Sequence, residues 1–146
     1  MQTTMTPPRV LALYDGPFWQ YLKDTGLMHL QCCGECGAWR YPPGPVCHVC
    51  LSPEAAWKPV SGNGEVLSWV IFHKQYLPAY PAPYNVIAVK LDEGPTIISN
   101  LVENPPDRNV IGRRVRLVIV AMDDGVALPR FEFSDAAAWP PETLRQ

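Results

Sequence analysis

What this 146-residue chain lacks already narrows its chemistry. No apolar run is long enough to cross a membrane; the longest, 117–122, has the length of a buried strand. Apart from Arg113, Arg114 and Arg116, the basic residues are scattered rather than massed. Twelve Lys and Arg stand against fourteen Asp and Glu, for a net charge of −2 and a pI near 5.9. That balance argues against non-specific binding to nucleic acid or to an anionic membrane. No glycine-rich loop is present to cradle a phosphate. His29, His48 and His73 stand at no spacing to acidic or nucleophilic residues that would define a triad, so each reads first as structural. No repeat is visible, and residues 1–8 carry no apolar stretch of the kind that directs secretion. A reducing, cytoplasmic setting is therefore the expectation.

Cysteine and proline are what the chain has in excess. Cys33 and Cys36 form one CxxC unit, Cys47 and Cys50 a second, with ten residues between them. Each unit lets two thiolates converge from a tight bend, and two units complete the four-sulfur tetrahedron that structural zinc prefers. Such a shell has no open position for substrate, so the ion acts as a staple and function lies elsewhere. Disulfides would need an oxidising compartment, and a thioredoxin-type CxxC would need to open a helix, which Pro42, Pro43 and Pro45 forbid. Thiolate ligation alone leaves iron as a minor alternative to zinc. Cys32 is then a spare thiol, and His48, inside the second knuckle, is expected to face solvent. Residues 37–46 suit a short hairpin, which makes 29–60 a rubredoxin-like zinc ribbon.

Seventeen prolines, about twice ordinary usage, leave little room for helix. The one helix expected lies near 17–23, with Asp15 able to cap it and Gly26 placed to end it. Phe18, Tyr21 and Leu22 share a face of that helix while Trp19 leads away. The surplus aromatic surface packs either on the chain's own ribbon and barrel or on a partner subunit.

From Gly62 the pattern turns to strands at 65–75, 85–91, 96–102, 113–122 and 126–133, all rich in β-branched and aromatic residues. Tight reversals at 92–95 and 123–125 make hairpins of the second and third strands and of the fourth and fifth. Strand one is apolar on both faces, so the ribbon is expected to cover it as a lid. Five strands in this order, with a wide connection at 103–110, read as an OB-type Greek-key barrel whose base a loop closes. The fold class is thus mainly β. A helical segment (1–28) leads into the zinc ribbon (29–60) and a five-stranded OB barrel with a tail (61–146).

Phe18 and Trp19 in a leading helix, the knuckle segments 30–37 and 41–47, the first strand 64–73 and the turns at 89–95 and 123–129 carry a wider likeness. Over nearly its whole length the chain resembles the zinc-ribbon plus OB-fold family called domain of unknown function 35 (DUF35). It departs from the usual knuckle at Leu51, where a small residue is normal. The resemblance implies an accessory subunit that docks on a thiolase-fold enzyme, whether thiolase, acyltransferase or steroid side-chain aldolase. It also implies that such a subunit sometimes bridges to a second acyl-CoA enzyme, and that the catalytic cysteine and histidines belong to the partner.

Docking is expected through the helix and ribbon, at Phe18, Trp19, Tyr21 and Trp39. A second surface lies at the loop 76–84, stiffened by three prolines and studded with three tyrosines. Trp69, His73, Tyr80 and Tyr84 there, with Arg114 and Arg116 from the one dense basic cluster, could meet a CoA thioester or a partner's carboxylates. Two other readings stay open. One is a single-stranded nucleic-acid binder, which the acidic balance disfavours; the other is a stand-alone acyl-CoA-binding protein.

Overall fold

The computed structural model describes residues 10–103, 109–123 and 125–134. One α-helix precedes two sheets: α1 (Gly16–Thr25), β1 (His29–Cys33), β2 (Trp39–Arg40), β3 (Ala55–Pro59), β4 (Asn63–Phe72), β5 (Tyr84–Leu91), β6 (Thr96–Ser99), β7 (Arg114–Ala121) and β8 (Ala127–Phe133). Gly26 ends α1 as expected, in a left-handed conformation at φ 69° with its N–H on the Leu22 carbonyl. Asp15 occupies the cap position without capping. Its own backbone is already helical, so the carboxylate cannot fold back onto the free amides, and the turn is instead set by Asp15 and Gly16 N–H groups on the Ala12 carbonyl.

β1 is the centre of a small antiparallel sheet ordered β2-β1-β3, and every residue of it is buried. The remaining strands form a sheet ordered β6-β5-β4-β7-β8, antiparallel throughout. Both expected hairpins, β5–β6 and β7–β8, are present. A parallel bridge from Leu101 to Phe131 ties the two edges together, with Phe131 N–H on the Asn100 carbonyl and Val102 N–H on the Phe131 carbonyl, each 2.9 Å. The sheet curls on itself and its edges are joined. This closure is also why β6 stops at Ser99 instead of reaching 102: the chain leaves β5 there to meet β8.

Gly64 is paired on both sides, with Leu91 of β5 and Val115 of β7. A β-carbon on it would lie 2.5 Å from the Lys90 carbonyl oxygen, so only glycine fits between the strands. Two residues on, β4 carries a bulge: pairing slips between Val66 and Ser68 and skips Leu67. Val66 is fully buried, whereas Val70 and Phe72 stay 49% and 37% exposed. The bulge inverts the inside-outside alternation, which explains why strand one reads as apolar on both faces. The ribbon does not act as its lid. It meets the barrel at the β5–β6 turn, where Trp39, Tyr41 and His48 line a cavity with Glu93, Gly94 and Pro95, while α1 packs on β1 and β8. One continuous core runs through all these parts, from Phe18, Leu22, Met28 and Leu30 to Val66, Val89, Val115 and Phe131. Of the 103–110 connection, 104–108 lie outside the described residues, and Val110 is buried in the core.

Candidate metal centre and neighbouring surfaces

The two knuckles are built alike. Cys33 ends β1 and its carbonyl accepts Gly37 N–H at 3.1 Å; the Cys47 carbonyl accepts Leu51 N–H at 3.0 Å. Both turns finish left-handed, Gly37 at φ 74° and Leu51 at φ 62°. They bring the four sulfurs within 4.8 Å of one another, with Cys33 to Cys50 at 3.5 Å and Cys36 to Cys47 at 3.6 Å. A tetrahedron of thiolates about 2.3 Å from a zinc ion has edges of about 3.8 Å, so the set fits a metal ion with little adjustment.

The electrostatics agree. Backbone amides of Cys36 and Glu35 pull the Cys33 thiol down to about 6, and those of Cys50 and Val49 lower Cys47. At Cys36 the Ala38 amide also favours the thiolate, but desolvation and the neighbouring sulfurs of Cys50, Cys47 and Cys33 outweigh it and push the thiol up to about 12. Thiolates packed this closely repel one another unless a cation sits among them.

Sequence reasoning missed the polar frame around the cluster. Arg40, only 4% exposed, donates to the carbonyls of Gly44, Ser52 and Glu54, and Gln31 accepts Gly44 N–H at 2.8 Å. These side chains hold the loop that carries the second knuckle. Nothing in composition or spacing singles them out. Cys32 is buried on the opposite face of β1 with its thiol toward the Gly37 carbonyl, outside the sulfur cluster, and His48 is exposed.

Phe18 is buried at 7% exposure and is spent on the core. Trp19 is half-buried against that core, edge-on to Phe18. Tyr21 stacks on His29 at 4.3 Å, and His29 also contacts the Leu27 carbonyl. Trp39 lines a shallow cavity with Tyr41, His48 and Glu93. Further apolar side chains are exposed at Val10, Leu11 and Leu13 before the helix and at Val46, Val49 and Leu51 around the second knuckle, of which only Leu51 was singled out in the sequence.

Trp69 is half-buried against the barrel core, while His73 lies past the end of β4 and is exposed, so the two share no strand face. Tyr84 stacks on Phe72 at 5.2 Å, and Tyr80 and Tyr84 line cavities beneath the 76–84 loop. Arg114 grips Asp92 through two bonds of 2.8 and 2.7 Å, and Arg116 holds Glu132 at 2.6 Å. Both arginines expected to face a ligand are thus matched to carboxylates within the barrel.

Comparison with known proteins places this architecture among relatives. The family of the ChsH2 C-terminal OB-fold domain matches residues 57–128. A probable enoyl-CoA hydratase alpha subunit from Thermomonospora curvata is 35% identical over 85% of the chain, which spans only 39% of that relative's length. A DUF35 domain-containing scaffold protein from Pyrococcus furiosus is 27% identical over 80% of this chain and 88% of its own. Among solved structures, a chain of the Ltp2-ChsH2(DUF35) aldolase superposes with a TM-score of 0.79 at 30% identity, covering 88% of this chain and 100% of that one.

Proposed function

The chain belongs to the DUF35 family, the family of the ChsH2 C-terminal OB-fold domain, and on that premise we propose that it is a non-catalytic subunit that docks on a thiolase-fold enzyme and supports acyl-CoA conversion. The observation that carries this reading is where apolar surface remains. Val10 at 94% exposure and Leu13 at 81% lie just before a helix whose other side is sunk in the core, and Leu51 at 72% closes the second knuckle. Side chains of this size left in water mark a surface that another protein covers.

The chemistry of the described residues favours a supporting role. Four cysteines are drawn into one closed cluster and Cys32 is buried, so no thiol stands free beside a base to serve as nucleophile. In this reading Cys33, Cys36, Cys47 and Cys50 hold a structural zinc. The ion locks the ribbon against α1, and Trp19, Tyr21 and Trp39 form the rim of the docking surface. The relatives' names support the setting, since one is a hydratase alpha subunit and another belongs to an aldolase. A bridging role between a thiolase-fold chain and a hydratase follows naturally, in a cytoplasmic complex.

Reconstitution tests the proposal. The purified chain, mixed with a thiolase-fold protein of the same organism, should elute as one heteromeric species and raise that enzyme's turnover of acyl-CoA. Separate elution at micromolar concentrations, or thioester turnover by this chain alone, would defeat it.

A further inference from the structure

Five arginines lie among the described residues, and four of them are matched. Arg40 is held by three carbonyls, Arg113 lies 3.5 Å over the Phe133 ring, and Arg114 and Arg116 are paired with carboxylates. Arg130 is the exception: it is half-buried, its Nε is enclosed without a partner as that of Arg40 is, and, unlike that of Arg40, the rest of its guanidinium meets no acceptor among the described residues. Glu132, two residues along the same face of β8, could have neutralised it but is turned to Arg116. Sheltering a cation from water without a counter-charge is costly, and a fold that tolerates it usually has something else to place there.

The surroundings show where that would be. Phe131 points into the barrel, so Arg130 points out of it, beneath the 76–84 loop. There it lines a cavity of about 270 Å³ together with Tyr80, Tyr84, Asn85 and Asn100. The wall is preformed. Asn85 is 4% exposed, its amide donates to the Leu101 carbonyl at 3.1 Å, its oxygen accepts Leu101 N–H at 2.6 Å, and Asn100 donates to the Asn85 carbonyl. A second cavity of about 280 Å³ shares Tyr80, Tyr84 and Asn100 with the first and continues along apolar side chains, Leu77, Val86 and Ile98. One end of the slot is therefore cationic and the other greasy.

We propose that this slot binds an oxyanion carried on an apolar molecule, with Arg130 as the anchor and the Leu77–Ile98 groove receiving the apolar body. A guanidinium presents its N–H donors in a planar fork that matches phosphate and carboxylate alike, and neutral tyrosine and asparagine groups leave its charge undiminished. The inference is independent of the accessory-subunit reading, because it concerns what this chain binds by itself.

Hexyl phosphate, hexanoate and hexanol separate the contributions. Titrated into the full chain, at least one of the two anions should bind tenfold or more tighter than hexanol, and whichever is tighter identifies the phosphate or the carboxylate as the recognised group. Arg130→Gln should abolish that tenfold preference while leaving hexanol binding unchanged. In the unaltered protein the Nε–Hε NMR resonance of Arg130 should shift with the anion and not with hexanol, a readout that does not depend on how the variant folds. Equal affinity for all three probes, or a resonance that the anions leave unmoved, would overturn the proposal.

Discussion

Leu51 stands in the second knuckle where Gly37 stands in the first: both close a CxxC turn on the carbonyl of its leading cysteine, and both do so at positive φ. Leu51 is the only non-glycine among the described residues with that conformation, and its side chain is 72% exposed. With the side chain mostly exposed, packing among the described residues does little to offset the backbone strain.

Leu51→Gly should therefore stabilise the isolated protein by about 0.5–1 kcal/mol, a rise of about 2–4 °C in thermal midpoint, with metal content unchanged. The same change should weaken assembly with the partner if the exposed side chain is part of the docking surface. Calorimetry and a binding assay on one variant separate the two effects.

Gly64→Ala should behave oppositely. The added carbon meets the Lys90 carbonyl at 2.5 Å and Val89 at 2.6 Å, and strands on both sides prevent β4 from moving away. A loss of about 3 kcal/mol is expected, read from urea unfolding.

Cys36→Ser should release the metal ion, and chelation should do the same to the native chain. Binding of structural zinc contributes on the order of 10 kcal/mol to small modules, so β1–β3 should lose amide-exchange protection first. Full metal stoichiometry in the variant, measured by elemental analysis, would draw in Cys32 or His48 as a substitute ligand.

Asp92 sets a pH dependence. The hydrogen bond from Arg114, together with its charge, holds this carboxyl below its ordinary value of 3.8. The unfolded chain thus takes up the proton first as pH falls, so the pair's contribution is complete above 3.8 and fades as pH drops through the lower folded value. Asp92→Asn should lose that small contribution at neutral pH and flatten the acid limb of the profile, so that variant and native protein converge in stability at low pH.

Docking can be mapped by contrast. Leu13→Asp, at a position 81% exposed, should weaken partner binding at least tenfold while leaving the melting temperature unchanged. Trp19→Ala should weaken binding and lower the melting temperature together, because that ring also packs on the core. Unchanged partner affinity in both variants would move the docking surface elsewhere.

Much of this was legible in the residues themselves. Two CxxC units fix the sulfur cluster because each is a local turn, complete within a few residues, and Gly26, the 92–95 turn and the alternating strands are local in the same sense. The knuckle departure at Leu51 was visible too, although its left-handed backbone was not. Asp15 misled because cap identity is local while the backbone angle that permits capping is set by the preceding turn. Strand one misled because a bulge shifts the inside-outside period by one residue without changing composition.

The sequence determined α1, the barrel strands with their two hairpins and the sulfur cluster, whereas in the ribbon the hairpin expected within 37–46 gives way to β2 pairing with β1, and β3 at Ala55–Pro59 was not foreseen. Only the tertiary structure decided how charge and apolar surface were shared out. It turned Arg114 and Arg116 toward Asp92 and Glu132, left Arg130 with no acceptor among the described residues, and buried Phe18 while exposing Leu13. Those outcomes depend on which strands meet across the closed barrel, and a guanidinium's partner is chosen by distance in space rather than by position in the chain.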